Sequence, residues 1–428
     1  MEMAQLDGAL QNDTRTPNFI DAYLAYTSDT ESPTTFHRWA ILSALSAWLG
    51  KRFYIRHGHS RINSNMYCML MGAAGTRKST AIKIASKLIK KAGYDTFSAS
   101  KSSKEQFLAD LAKTGMPQES DELLDANLWG ADSGMGSCEV LINADEFNNF
   151  VGNGNIEFLS LLGELWDLEG DYTHAKLTAK SVFVKDPCVS ILAGNTATGF
   201  SLAFPKESIG QGIFSRLLLI HGESTNKRIA FPTAPSDKAT AALITCLLQI
   251  RAIAAGEAEV SEEAKAMLNL IYNEWTAIND IRFESYCNRR FTHLFKLCLV
   301  HAAACKSKVI EREHVIMANT VLTHAEHSMP RALGEFGAAS KSDITHKIMM
   351  LLESARKPQT FKDIWKHVSS DVNSLTELKP LMENLIYAEK IFKVKDGYLA
   401  KRKVIRESSA DRTVDFSLLT ESEREYLI

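Results

Sequence analysis

No stretch of 18 or more consecutive apolar residues occurs in the sequence, so no membrane-spanning helix is expected. The opening, MEMAQLDGALQNDT, lacks the basic segment and apolar core of a secretory signal, which leads us to expect a soluble, cytoplasmic chain. The seven cysteines (68, 138, 188, 246, 287, 298 and 305) are odd in number and include no C-x-x-C pair. Neither a disulfide framework nor a zinc site is indicated, and they read as buried thiols. Five histidines between 293 and 327 (His293, His301, His314, His324, His327) form no H-E-x-x-H or closed ligand set and read as packed or solvated side chains. With 49 Lys and Arg against 51 Asp and Glu, the net charge of −2 excludes a uniformly basic nucleic-acid coat, though not local basic faces. What the chain does have is length, 428 residues with 45% hydrophobic, enough for a sizeable core and two to four domains at roughly 100 to 200 residues each.

The most informative stretch is MGAAGTRKST, residues 71–80. Gly72, Lys78 and Ser79 fall where the phosphate-loop pattern G-x-x-x-x-G-K-[ST] requires them, but Arg77 stands in place of the second glycine. The context suits the motif. NMYCMLMG before it reads as a strand buried on both faces, and STAIKIASKLIKKAG after it reads as a helix stopped by Gly93. Backbone N–H groups of the loop and the positive end of that helix would hold the β and γ phosphates of ATP, with Lys78 as a point charge and Ser79 on Mg²⁺. The expected nucleotide-binding set is Gly72, Gly75, Thr76, Arg77, Lys78, Ser79 and Thr80. Arg77 is compatible with phosphate binding if its backbone needs no positive φ, leaving Gly75 to take the strain. Its side chain would then point to solvent or to a neighbouring subunit.

Two further strands are expected to end in polar groups. In CEVLINADEFNNF an apolar strand runs into Asp145 and Glu146, the arrangement of a Walker B segment: Asp145 holds the metal and Glu146 polarises the attacking water. In DPCVSILAGNTATGF the strand ends at Asn195, which matches a sensor asparagine that orients that water; a turn-forming Asn-Thr is the alternative. Trp166, in the apolar stripe of LLGELWDLEG, reads as core.

Taken in order, NMYCMLMGAAGTRKST, VLINADEF, LLGELWD, VSILAGNTATGF and GQGIFSRLLLI resemble the P-loop ATPases of phages and integrated mobile elements that accompany or replace a replicative helicase. Those are primase-helicase or helicase-like ATPases related to the AAA+ and superfamily 6 motors. The resemblance covers about residues 20–330 and implies an α/β, AAA+/RecA-like P-loop NTPase core at 51–250. A helical region at 1–50 would precede it and a helical lid at 251–335 would follow. It implies that Arg216 reaches the γ-phosphate bound by an adjacent subunit of a homo-oligomeric ring, a hexamer being one such size, and that Arg289 or Arg290 is a sensor 2 arginine, with a surface role at a strand start as the alternative for Arg216. It also implies that the hairpin expected in GDYTHAKLTAKSVFVKDP projects into a pore. There Lys176 and Lys180 would contact the phosphates of a threaded single strand of DNA, with Tyr172 or His174 stacking; an edge hairpin protected by its lysines is the competing reading.

After a small-residue linker near 329–343 the pattern of helices followed by a hairpin around Asp396-Gly397 reads as a winged-helix domain over 341–406. That segment carries fourteen Lys or Arg against eight Asp or Glu, a local balance of +6, so duplex DNA is one expected partner and protein docking the other. The acidic residues 407–428 read as a tail. Three functions remain open: an ATP-driven ring motor acting on DNA in replication of a phage or mobile element, a helicase or translocase working with other replication proteins; an ATP-switched helicase loader or adaptor; and a DNA-binding regulator with a structural nucleotide site. No primase segment is recognisable, so priming is not expected of this chain.

Overall fold

The computed structural model describes residues 18–116, 136–175, 181–205, 212–233, 235–278 and 280–334, and beyond these residues 345, 348–353, 355, 357–368, 375–388, 390–394 and 397–400. The chain divides into two compact units, the boundary falling between Gly334 and Glu335. It is mixed α/β, with a parallel sheet in the first unit. Among the described residues no helix is long and apolar enough to cross a membrane.

The first unit opens with α1 (Phe19–Tyr26) and α2 (Thr34–Leu49). Asn18 starts α1 through a capping box, its side chain accepting from the Ile20 and Asp21 amides. Helix α2 is buried from Phe36 to Leu49 at every position but Arg38, as a helix apolar all round must be, and it lies against the parallel sheet rather than beside the fold. A hairpin follows, β1 (Phe53–His57) with β2 (Ser60–Asn63). Strand β3 (Tyr67–Met71) is buried at each residue and passes through the 72–77 loop into α3 (Lys78–Lys91). Next come α4 (Lys104–Thr114), β4 (Glu139–Ala144), α5 (Phe147–Val151) and α6 (Ile156–Leu165). The expected hairpin is present as β5 (Tyr172–His174) paired antiparallel with β6 (Val182–Val184), Thr173 opposite Phe183. Strand β7 (Cys188–Asn195), helix α7 (Ala197–Ala203) and strand β8 (Leu217–His221) complete the sheet region.

The four parallel strands lie in the order β4-β7-β3-β8. All four are near-continuous apolar runs, as a parallel sheet covered on both faces demands. Helix α8 (Asp237–Ile253), short strands β9 (Gly256–Glu257) and β10 (Glu259–Val260), α9 (Glu262–Glu274) and α10 (Glu284–Cys287) follow. Then come α11 (Arg290–Ala304), β11 (Val309–Ile310) and α12 (Arg312–Leu333), with α12 lying along β8. Helix α12 runs through Pro330 to Leu333, so the first residues of the linker expected near 329–343 are helical. A proline in the last turn removes a single i to i−4 bond, which the fraying end of a helix tolerates.

The cysteines are not uniformly buried as expected: Cys68, Cys138, Cys188 and Cys298 are, Cys246 and Cys287 are half-buried and Cys305 is exposed. The second unit has a helical segment at 348–353, α13 (Phe361–Val368), α14 (Leu375–Tyr387) and the antiparallel pair β12 (Ile391–Val394) and β13 (Gly397–Ala400). Gln359 bridges to Tyr398 on β13, and Ile348, Leu352, Ile364, Leu378, Leu385 and Ile391 meet in one small core.

Candidate functional site

The register of the parallel sheet brings distant polar groups to one edge. Met71 pairs with Asn195 on one side and with His221 on the other, and Ala144 pairs with Ala193. Continuing one and two residues past Ala144, Asp145 and Glu146 therefore draw level with Gly194 and Asn195. Backbone bonds fix this row, Gly72 donating to the Asn195 carbonyl (3.3 Å) and Gly222 to the Met71 carbonyl (2.9 Å). The packing leaves no room for side chains on two of its residues. A Cβ on Gly72 would sit 2.6 Å from the Gly222 carbonyl, and one on Gly194 would sit 2.6 Å from the Asp145 carbonyl.

In the 72–77 loop Thr76 is buried and folds back on the Ala73 carbonyl through its hydroxyl (2.8 Å). Lys78 is only 8% exposed, and its ammonium donates to the Gly72 and Ala73 carbonyls (2.7 and 2.8 Å) and to the Thr76 hydroxyl (3.2 Å). Burial pushes the Lys78 amine below its ordinary range, and the Glu146 carboxylate opposes that shift, so the acidic edge is within electrostatic reach of the loop. Ser79 and Thr80 are half-buried in the first turn of α3, a helix with no side-chain cap.

Arg77 departs from expectation. Its backbone is left-handed (φ 61°, ψ 28°), and Gly75 is also at positive φ (85°), so the glycine does not take the strain alone. A non-glycine residue in that region costs about 1–2 kcal/mol. Its side chain is exposed and pairs with Glu31 of its own chain, with Nη2 2.6 Å and Nε 2.8 Å from Oε2.

Asp145 and Glu146 are exposed. Asp145 pairs with Lys83 from the first turns of α3 (2.9 Å), and Glu146 accepts from the Asn149 side chain (2.9 Å). Asn195 is 1% exposed; its Oδ1 accepts from the Thr196 amide (2.9 Å), while its buried Nδ2 has no partner among the described residues. Leaving a buried donor unpaired costs about 1–3 kcal/mol, so an unpaired amide at a sheet edge calls for an occupant or a water. Two residues that sequence reasoning passed over belong to the same row. Asn148 Oδ1 is buried without a partner among the described residues, and a Cβ on Gly199 would lie 3.1 Å from it and against Asn195 Oδ1, so glycine is what lets the two amides converge. His221, ending β8, is mostly buried and leaves Nδ1 without a partner among the described residues. The place of His221 at a strand end could have signalled it, whereas Asn148, inside α5, carries no such mark.

Arg216 lies elsewhere. It precedes β8 and is therefore at the amino edge of the sheet, where its guanidinium bonds the Gly212 carbonyl (2.6 Å) and Asp167 (3.1 Å) beside the Trp166 ring. It lines a cavity of about 390 Å³ with Ser160, Gly163, Glu164, Gly212 and Ile213. Arg289 joins the same carboxylate (2.8 Å). Arg290, 3% exposed, is held between α11 and α12 by Glu326 (2.8 Å), Asn319 (2.9 Å) and Thr323 (3.1 Å), so its Nε and Nη2 are engaged within the helical region. Trp166 is 1% exposed, as the apolar stripe implied. Lys176 and Lys180 lie outside the described residues. Among the described residues no group of three or more His, Cys, Asp and Glu is placed to hold a metal ion.

No protein-family model matches the chain, and no curated protein matches it.

Proposed function

We propose that this protein is an ATP-hydrolysing motor of the P-loop class that acts on DNA as a ring, in the replication of a phage or mobile element. The observation that carries the reading is the row formed at the carboxyl edge of the sheet: a glycine-bounded loop with a buried lysine, two exposed carboxylates and a buried asparagine whose Nδ2 has no partner among the described residues. Ligands of open parallel sheets bind outside the carboxyl ends of the strands, where the chain leaves a central strand in one direction and returns on its other side. Here the loop follows β3, which has β7 and β8 as its neighbours.

The residues fit Mg²⁺-ATP. The loop amides and Lys78 would hold the phosphates, and Ser79 with Asp145 would supply two oxygen ligands to Mg²⁺, which otherwise keeps water and phosphate oxygens. Bound there, the metal neutralises phosphate charge. Glu146 takes the proton of the attacking water, and Asn195 donates its unpaired N–H to orient that water. Arg216 cannot serve this loop in its own chain, because five residues of β8 at about 3.3 Å each separate the two edges. As a trans group it completes a neighbour's site, which makes turnover depend on assembly.

Three helical segments, a strand-like bridge at Gln359 and a two-stranded hairpin in a stretch with a local charge balance of +6 support a winged-helix reading of the second unit and a DNA partner for it. The hairpin before β7 is the element that would face a threaded strand, with Lys176 and Lys180 between its two strands in sequence. The test is steady-state ATP turnover with and without single-stranded DNA, combined with particle mass in the presence of nucleotide. Turnover that rises with DNA in a multi-subunit particle is expected. DNA-independent turnover would favour an ATP-switched loader, and no turnover would favour a regulator with a structural nucleotide site.

A further inference from the structure

We propose that Glu31 is a positioning residue for the phosphate loop, holding Arg77 in the left-handed conformation that the loop adopts where the pattern has glycine. The geometry stands by itself, while its consequence for ATP rests on the nucleotide reading given above. Arginine gains nothing from the left-handed region by its own chemistry, so something outside the loop must hold it there. Two contacts from the α1–α2 connection do so: the Glu31 carboxylate takes both Nε and Nη2 of Arg77, and the Ser32 hydroxyl donates to the Arg77 carbonyl (3.1 Å). Glu31 is itself fixed from the opposite side. Its Oε1 accepts from the Ile229 amide (3.1 Å) and its backbone carbonyl from the Thr225 hydroxyl (2.7 Å), both in the segment after β8.

The same two segments are joined again by the Thr233 amide to Asp29 (2.8 Å) and by Lys227 to the Ser28 carbonyl (3.1 Å). The Ile229 amide and then Arg77 hold the Glu31 carboxyl below its ordinary range, so it remains charged at neutral pH. A single half-exposed ion pair contributes little in isolation. Glu31 acts because one carboxylate ties the Arg77 guanidinium to the segment after β8, so its loss frees that side chain while the Ser32, Thr225 and Asp29 contacts keep the surrounding segments in place. The glycine of the ordinary pattern needs no such brace, which gives the proposal its distinguishing test.

Amide hydrogen exchange in the full-length protein, followed over residues 72–80, decides it through the cycle of wild type, Glu31→Ala, Arg77→Gly and the double variant. Glu31→Ala should speed exchange in the loop about tenfold, the scale of one left-handed residue, and lower ATP affinity by a similar factor. In the Arg77→Gly background the change at residue 31 should have no effect on the loop. Glu31→Gln, which can still accept from the Ile229 amide, should fall between wild type and Glu31→Ala. Wild-type exchange in Glu31→Ala would overturn the proposal. So would an equal effect of Glu31→Ala in both backgrounds, or faster exchange spread evenly over the first unit. If the wild type binds no ATP, the nucleotide reading falls, and the exchange cycle still decides whether Glu31 positions the loop.

Discussion

At the carboxyl edge of the parallel sheet Asp145 and Glu146 are exposed and Nδ2 of Asn195 is buried without a partner among the described residues; at the amino edge Arg216 and Arg289 share Asp167, packed about Trp166. One sheet thus has an edge where exposed carboxylates surround a buried asparagine, and an edge where arginine charge is buried and matched by Asp167, though among the described residues Arg216 Nε has no partner there. What sets the carboxyl edge apart is the company of its unpaired atom: the 72–77 loop, the buried Lys78 ammonium and two exposed carboxylates meet there. At the second edge the arginine proposed to act on a neighbour's site is buried and paired within its own chain.

The comparison breaks most visibly at Glu146. Glu146→Gln should keep ATP bound and lower turnover by about 10⁴-fold, the upper range for loss of a general base. Single-turnover assays check it, and near-normal turnover would place the base elsewhere. Next in size is Arg216→Ala, expected to lower turnover by about 10³-fold while leaving ATP binding in each subunit nearly intact. Mixing Arg216→Ala with Glu146→Gln subunits should restore part of the activity, because one interface then pairs an intact Glu146 with an intact Arg216. A mixture that assembles but stays inactive would return Arg216 to a purely structural place at the amino edge.

A smaller effect is expected from the second unit. Ending the chain at residue 340 should weaken DNA binding by about 10²-fold and flatten its dependence on salt, since fewer phosphate contacts release fewer counterions. An unchanged salt slope in binding titrations would assign the unit to protein docking.

The smallest prediction sharpens the amino edge. His293 is fully buried beside Ser215, whose carbonyl is 3.0 Å from its Nε2, and burial pushes its pKa down to about 3. A base whose folded pKa is depressed binds fewer protons folded than unfolded, so stability falls as pH drops below the unfolded value near 6.5. Between pH 6.5 and 5 the loss should be about 2 kcal/mol from this residue. Chemical denaturation at the two pH values checks it, and His293→Gln should remove about that much of the difference.

The elements that position the candidate site were legible because each is a local pattern. The apolar run before Gly72, the 3.6-residue periodicity after Lys78 and the runs ending at Asp145 and Asn195 each depend on neighbours in sequence. What could not be read are pairings set by the fold. Glu31 meets Arg77 across 46 positions, Asp167 meets Arg216 across 49 and Arg290 meets Glu326 across 36, and nothing local distinguishes these residues from solvated charges. Helix α2 illustrates the same limit: its apolar spacing announced a helix, but only the sheet beneath it explains why thirteen of its sixteen residues are buried. The left-handed backbone of Arg77 was hidden for a further reason, since a strained conformation held by distant contacts leaves no mark on residue type.

The central claim, that the carboxyl edge is a nucleotide site organised by Lys78, is tested most directly by equilibrium titration of Mg²⁺-ATP into the wild-type protein and Lys78→Ala, with circular dichroism confirming that both are folded. Among the described residues Lys78 is the one side-chain cation bonded to the loop carbonyls, so the wild type should bind and the variant should lose at least about 10²-fold in affinity, as loss of a charge-assisted contact to phosphate implies. Equal affinity in the two proteins, or no binding by the wild type, would contradict it.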